Sequence, residues 1–347
     1  MVYLELNEEN ILKAAGMVRA GQLAAFPTET VYGLGCDAFN TYALARVFEV
    51  KKRPRFDPLI VHIASLDAME RLVDFSRLSA GMEYRLSVLS HALWPGPLTL
   101  ILPKLRTVPD LATAGLETVA VRFPAHDGAL KLIAESTGAI AAPSANPFGY
   151  LSPTRAEHVR EQLGDAVDVI LDGGPADIGI ESTVLDISSV APRILRPGGT
   201  PRNVIESLTG PLTAEAPDGK ISSPGQLKSH YAPSKELYLH TAAEMCRLEF
   251  CPDAAYLFFN QASFKTFAEN NGLPSEPSDG GGRFFILSPS GSLTEAASSL
   301  FDTLHTIDAL PVSLIHAEHP PKEGLGDAIN DRLSRAAARL ENIRMDC

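Results

Sequence analysis

Lys51-Lys52-Arg53-Pro54-Arg55 runs through Phe56 and Asp57 into Pro58-Leu59-Ile60-Val61-His62-Ile63, and this stretch sets the reading of the chain. Upstream of it, Leu44, Val47 and Phe48 recur at helical spacing between Asn40 and Lys52. Downstream, a short apolar run bounded by proline reads as a buried strand. A helix followed closely by a strand is the building unit of an α/β sheet protein. The link between them is unusual, because it gathers four cations in five residues of a chain whose net charge is -12. Like charges held together on an acidic protein suit a polyanionic ligand such as phosphate. They equally suit a solvated helix C-terminus, so the cluster by itself leaves both readings open.

Outward from this stretch the alternation continues over about 205 residues. Asn7 to Ala20 reads as a helix with Ile11, Ala15 and Val18 on one face, ended by Gly21. Leu23 to Phe26 is a strand entering the loop Pro27-Thr28-Glu29-Thr30. Ser65 is expected to cap a helix, and a further helix runs from Ser79 to Leu93. Leu98 to Leu102 and Thr118 to Phe123 are extended, Ala129 to Ser136 is helical, and Ala139 to Ala142 is extended. Thr154 is expected to cap a helix stopping at Gly164, and strands follow at Val167 to Leu171, Thr183 to Ile187 and Arg193 to Leu195. From Gly210 to Pro233 the pattern lapses into Pro, Gly, Ser and Thr. Periodicity returns with strands at Ala254 to Phe259, Phe284 to Leu287 and Val312 to His316, and helices at Leu293 to Leu304 and Asp327 to Leu340. The expected organisation is a mixed α/β sheet domain over 1–209, an interdomain linker or lid loop over 210–235, and a smaller open α/β domain over 236–347.

Composition narrows the class. Hydrophobic content of 45% and charge of 21% are those of a soluble globular protein, and 26 glycines with 26 prolines indicate many turns. No apolar run reaches the ~18 residues of a membrane span, and the N-terminus lacks the cationic start and apolar core of a signal peptide, so a cytoplasmic location is expected. Cys36, Cys246, Cys251 and Cys347 are too scattered for a disulfide framework or a zinc spacing, and no metal ligands are assigned. An isoelectric point near 5.2 argues against broad binding to nucleic acid. Neither a Walker A sequence nor a Rossmann glycine fingerprint follows a strand.

Chemistry-bearing residues gather in loops at strand ends. Pro27-Thr28-Glu29-Thr30-Val31-Tyr32-Gly33-Leu34-Gly35 places hydroxyls and a carboxylate after a strand. Ala142-Pro143-Ser144-Ala145-Asn146 leads through Ser152-Pro153-Thr154 into a helix start, and Glu181-Ser182-Thr183 and Arg196-Pro197-Gly198-Gly199 add further polar groups. Taken singly, each is ordinary turn chemistry; four such loops at sheet edges point to a site. Together with Lys51-x-Arg53-Pro54, Pro58-Leu59 and Val121-Arg122-Phe123-Pro124, they closely resemble, in order, the signature of YrdC-type threonylcarbamoyl-AMP synthases. Ser223-Pro224-Gly225, His230-Tyr231-Ala232-Pro233 and Gly324-Leu325-Gly326-Asp327 resemble the linker and closing motif of the long, two-domain form.

That resemblance implies a twisted, open mixed sheet of the YrdC type with a smaller Rossmann-like C-terminal domain. It also implies synthesis of L-threonylcarbamoyl-AMP and pyrophosphate from L-threonine, bicarbonate and ATP, with magnesium accompanying ATP and no tightly bound organic cofactor. The product would pass to the tRNA threonylcarbamoyl transferase machinery, for the adenosine next to the anticodon; direct RNA binding is not required. By motif position, Thr30, His62, Arg122, Ala142 and Ser182 resemble the threonine-binding set. Lys51, Arg53, Asp57, Thr118, Ser144, Asn146, Ser152, Arg196 and Tyr231 resemble the ATP set, with Lys51 and Arg53 meeting phosphates and Tyr231 reaching the nucleotide from a lid. The chain departs from the pattern at Asp57, where the family often has Asn, and at Gln226-Leu227-Lys228-Ser229. Two rivals share the fold. One is a nucleic-acid module, disfavoured by overall acidity, and the other a carbamoyl transferase, disfavoured by the lack of zinc-finger segments.

Overall fold

The protein is represented by a computed structural model that describes residues 1–189, 192–213, 230–276 and 282–338. Most of the segment expected to form the linker or lid, 214–229, lies outside the described residues. The chain divides into two compact units, one from Met1–Phe148, Ser152–Asp177 and Glu181–Gln226, the other from Gly149–Leu151, Ile178–Ile180 and Leu227–Cys347.

In the first unit, β1 (Val2–Glu5), α1 (Glu8–Arg19), β2 (Ala24–Phe26), β3 (Gly33–Asp37), α2 (Thr41–Lys51) and β4 (Ile60–Ile63) are followed by α3 (Ala80–Leu93), β5 (Leu98–Pro103), α4 (Asp110–Thr113) and β6 (Thr118–Arg122). Then come α5 (Asp127–Glu135), β7 (Ala139–Ala141), α6 (Ala156–Leu163), β8 (Val169–Asp172), β9 (Thr183–Asp186), β10 (Arg193–Arg196) and α7 (Arg202–Thr209). The strands form one open mixed sheet of ten, in the order β1-β8-β2-β3-β7-β4-β6-β5-β9-β10. The mixed sheet read from the sequence is therefore present.

Local chemistry accounts for the elements. Asn7 caps α1 by accepting the Asn10 N–H at 2.9 Å, with Glu8 and Glu9 in the first turn and Arg19 in the last. Asn40 caps α2 in the same way, accepting from Tyr42 and Ala43. The α2 helix ends in a left-handed turn at Lys52 (φ 51°), where Lys52 N–H reaches Glu49 O and Arg53 N–H reaches Phe48 O. That turn sorts the cation cluster, since Lys51 and Arg53 become buried while Lys52 and Arg55 stay exposed. Two expected caps differ. Ser65 precedes only a short 3-10 turn, Leu66–Arg71, without a side-chain cap bond, and Arg155 rather than Thr154 takes the N-cap position of α6.

Period-two alternation decides what each face of the sheet does. Val61, Ile63, Leu98, Leu100, Val119, Val121 and Leu185 point into the main core with α2 and α3. On the opposite face, α1 and α5 cover Ala24, Phe26, Ile140, Ala142, Val169 and Leu171. Beyond them on that face lies a separate small apolar cluster of Ile60, Ile101, Ala120, Val184 and Leu195.

The second unit holds β11 (Glu236–His240), α8 (Ala242–Met245), β12 (Ala254–Phe258), α9 (Gln261–Asn270), β13 (Phe284–Ile286), α10 (Leu293–Asp308), β14 (Leu314–Glu318) and α11 (Gly326–Ala337). Its four strands are all parallel, in the order β11-β14-β12-β13. Tyr256 and Phe258 pack on Met245, Phe264 and Phe267 on one side. Ala255 and Leu257 are buried on the other, as expected of a parallel sheet covered on both faces.

Candidate functional site

The polar residues of the site stand on one face of the first sheet because they share its pleat. On β4, His62 follows Ile60; on β6, Arg122 follows Ala120; on β5, Thr99 precedes Ile101. In register, Arg122 lies opposite His62 on one neighbouring strand and Thr99 on the other. The Thr99 and Ser182 hydroxyls are 2.8 Å apart, and Ser182 stands at the entrance to β9. A row from His62 through Arg122 and Thr99 to Ser182 thus crosses four strands, with the Ile60-Ile101-Ala120-Val184-Leu195 cluster as its apolar floor.

Two loops bear on this row. From the loop after β2, Glu29 brings its carboxylate to 2.8 Å from Arg122 Nη2, and both side chains are about 95% buried. Thr28 shapes that loop. Its hydroxyl accepts from the N–H groups of Thr30 and Val31, donates to Val31 O and lies 2.9 Å from the Thr30 hydroxyl. Arg196 approaches from β10, past a register irregularity between Ile194 and Arg196, and donates to Ser182 O from Nε at 3.2 Å and Nη2 at 2.8 Å. Gly198 is required at the close approach that follows, because a Cβ there would collide with the backbone of Glu181 to Thr183.

The buried cations form a second cluster. Lys51 Nζ donates to Ser144 O at 2.6 Å and also to the backbone and side-chain oxygens of Asn146. Arg53 donates to Asp57 O at 3.1 Å and Pro58 O at 2.9 Å, pairs with the Asp57 carboxylate at 2.9 Å, and lies over the Phe148 ring. Burial pushes Asp57 above the usual carboxylate range, against the pull of Arg53, Arg196 and Lys51. Burial, and then Arg53, hold Lys51 well below the usual ammonium range, against Asp57 and Glu181. Ser152 closes the cluster by donating to the Glu181 carboxylate.

Of the residues named from the sequence, Thr30, His62, Arg122, Ser182, Lys51, Arg53, Asp57, Ser144, Asn146, Ser152 and Arg196 are tied into this network. Ala142 adjoins it, donating its N–H to Ile60 O at 2.9 Å. Lys51 is directed at the loop that carries Ser144 and Asn146. Thr118 starts β6 and Arg122 ends it, which at the rise of a strand separates them by about 13 Å. Tyr231 lies in the second unit, with a φ of 60°, beneath Arg332 and against the rings of His230 and Phe301. Sequence reasoning gave no role to Glu29, Thr99 or Glu181. Glu29 and Glu181 stood inside quoted motifs, and an acid flanked by buried hydroxyl residues was the signal available.

His62 yields a stability prediction. Burial first, and Arg122 second, depress its pKa from 6.5 to about 3. Below pH 6.5 the unfolded chain therefore takes up a proton that folded His62 refuses. Stability is complete above that value and falls as the pH drops towards 3, by about 1.4 kcal/mol per pH unit. A His62→Gln variant should show a shallower loss of urea midpoint between pH 6 and 4. An unchanged slope would assign the acid sensitivity elsewhere, His316 in the second unit being depressed to about 4 by burial and His240.

Comparison with known proteins gives concordant matches along the chain. The Sua5/YciO/YrdC profile, described as telomere recombination, matches residues 16–198. A profile described as the C-terminal domain of threonylcarbamoyl-AMP synthase matches residues 187–338. The chain is 42% identical to a threonylcarbamoyl-AMP synthase of Pyrococcus abyssi, over 96% of this chain and 95% of the relative. It is 40% identical to that of Bacillus subtilis, over 96% and 94%. The crystal structure of P. abyssi Sua5 complexed with L-threonine superposes with a TM-score of 0.80 at 38% identity, covering 97% of this chain and 98% of that one.

Proposed function

The chain belongs to the Sua5/YrdC family in its two-domain, threonylcarbamoyl-AMP synthase form, and from that premise we propose that it joins L-threonine, bicarbonate and ATP into L-threonylcarbamoyl-AMP and pyrophosphate. The observation that carries the proposal is the junction of the two clusters at Arg196, which donates to Ser182 on the sheet row and acts on Asp57 among the cations. One half offers an arginine fork, hydroxyls and a neutral imidazole, which suit a hydroxylated amino acid. The other offers buried cations, which suit a triphosphate.

The chemistry needs no covalent enzyme nucleophile. Bicarbonate takes up a proton and loses water to give carbon dioxide. The bound ammonium of threonine releases a proton, its free amine adds to carbon dioxide and gives up a second N–H proton to solvent, and the resulting carbamate oxygen attacks the α-phosphorus of ATP. A new P–O bond forms as the bond to the β-phosphate bridging oxygen breaks, and pyrophosphate leaves with that electron pair. Two anions must be aligned and the charge on the departing phosphates stabilised, and the buried positions of Arg53 and Arg196 serve this by placing cations where water is largely excluded. Arg122 and Ser182 orient the amino acid, and Lys51 holds the Ser144–Asn146 loop against the cation cluster.

Magnesium would arrive with ATP. It takes one or two carboxylates and completes its shell with phosphate oxygens and water, and Asp57 is a buried acid beside the cations that fits such a role. The adenylate would supply a tRNA threonylcarbamoyl transferase acting next to the anticodon, in the cytoplasm. Among the described residues no helix is long and apolar enough to cross a membrane.

Incubation with ATP, magnesium, L-threonine and labelled bicarbonate should yield a labelled adenylate together with pyrophosphate. Both should vanish when threonine or bicarbonate is omitted. Equal rates with serine, or without any amino acid, would sink the substrate assignment.

A further inference from the structure

We infer that Glu29 seats the α-ammonium group of the amino-acid substrate and forms with Arg122 a matched counter-ion pair for a zwitterion; this rests on reading the sheet row as the threonine pocket. The Glu29 carboxylate and Arg122 Nη2 approach to 2.8 Å, so their charges are neutralised. The approach is not aligned for hydrogen bonding, and among the described residues neither Glu29 oxygen, nor Arg122 Nε or Nη2, has a hydrogen-bond partner. Buried carboxylates and guanidinium groups normally satisfy these directions, because leaving them empty is costly. An ion pair that is complete in charge and incomplete in direction is organised for a third party carrying both signs.

A free amino acid is that party. Its carboxylate and ammonium are separated by one carbon, the scale of the Glu29–Arg122 approach. The carboxylate takes the donors of Arg122, and the ammonium takes the acceptors of Glu29. The surroundings agree with this orientation. Thr28 ties down the backbone that follows Glu29 through the N–H groups of Thr30 and Val31 and leaves the Glu29 side chain directed at Arg122. His62 is kept neutral by burial and by Arg122 and adds no positive charge beside an incoming ammonium. Asp57, the buried acid of the phosphate side, is surrounded instead by Arg53, Arg196 and Lys51, cations of the protein itself that already counter its charge. The two acids divide the labour, Glu29 selecting a cationic head and Asp57 tempering a cation cluster.

The test is direct binding of two ligands, L-threonine and 2,3-dihydroxybutanoate, which keeps the carboxylate and both carbons of the side chain but carries hydroxyl in place of ammonium. The unaltered protein should prefer threonine by roughly 100-fold or more, since a site built around a polar group rejects the analogue lacking it. Glu29→Gln keeps the size and removes the charge. It should lower threonine affinity by roughly the same factor and leave the analogue within a few-fold, so that the preference collapses. Retained ATP binding and an unchanged circular dichroism spectrum establish that this variant is folded. If it is not, Glu29→Asp takes its place and should keep the preference for threonine while weakening both ligands. A Glu29→Gln protein that still prefers threonine, or a Glu29→Asp protein that does not, overturns the inference with the pocket assignment intact. Failure of the unaltered protein to bind threonine at all overturns the pocket assignment, and this inference with it.

Discussion

Arg122→Met should reduce threonine-dependent pyrophosphate release by roughly 100- to 1,000-fold and also lower the stability of the fold, two losses with separate causes. The first follows from geometry. Arg122 stands between His62 and Thr99 in register, and its planar fork is the group on this row able to grip a carboxylate in two places. The second follows from burial. Removing the guanidinium strands the Glu29 carboxylate, which is about 95% buried, and an uncompensated buried charge costs about 3–5 kcal/mol. The two effects separate in a double variant. Glu29→Gln combined with Arg122→Met should recover much of the lost unfolding midpoint in urea and none of the activity, as expected for residues that share one interaction. Recovery of neither, with the single Arg122 variant as stable as the parent, would mean that the pair is exposed to solvent and contributes little.

The Lys51 to Arg55 cluster gives the second large effect. Arg53→Ala should lower kcat/KM by about 2–4 kcal/mol of transition-state stabilisation if Arg53 meets the phosphates. It should also cost stability, which its position in the sequence does not suggest. Arg53 pins the turn to β4 through Asp57 O and Pro58 O, and it faces an Asp57 carboxylate whose oxygens have no hydrogen-bond partner among the described residues. Arg53→Lys should rescue only a small part, because an ammonium cannot reproduce two backbone contacts and an ion pair from one planar group. Arg55→Ala should stay within about 0.5 kcal/mol of the parent in stability and change turnover little, since Arg55 is exposed. Steady-state kinetics and thermal unfolding of the three variants decide the matter. Equal losses at Arg53 and Arg55 would reduce the cluster to a diffuse patch.

Elements with a strong period were legible in the sequence. The helices around Asn7 to Ala20, Asn40 to Lys52 and Ser79 to Leu93 and the strands at Leu98 to Leu102 and Thr183 to Ile187 lie within a residue or two of α1, α2, α3, β5 and β9. Elements that depend on a partner were not. β1 is an edge strand whose two ends are exposed, so its residues carry no alternation. β3 carries no strand pattern in the sequence, yet Gly35 is in the strand for a packing reason: a Cβ there would lie 2.6 Å from the Phe26 ring and 2.7 Å from Ile140. The helix α9 and strand β11 of the second unit carry no clear period either, their apolar residues being diluted by polar ones such as Lys265, Glu269 and Glu236 on the exposed side.

For the site, the sequence by itself determined the chemical vocabulary: hydroxyls after one strand, a Lys-x-Arg turn after a helix, single arginines at the ends of two others. Period two even dictates that Ile60 with His62, Ala120 with Arg122 and Thr99 with Ile101 each share a face. Which strands stand side by side is another matter. The order β7-β4-β6-β5-β9 brings together residues from segments far apart in the chain, and it is set by how the apolar faces of the whole sheet and its helices fill one core. Only that tertiary packing places Glu29 against Arg122 and Ser182 against Arg196. Such pairing depends on burial and distance across the sheet, and local sequence carries neither.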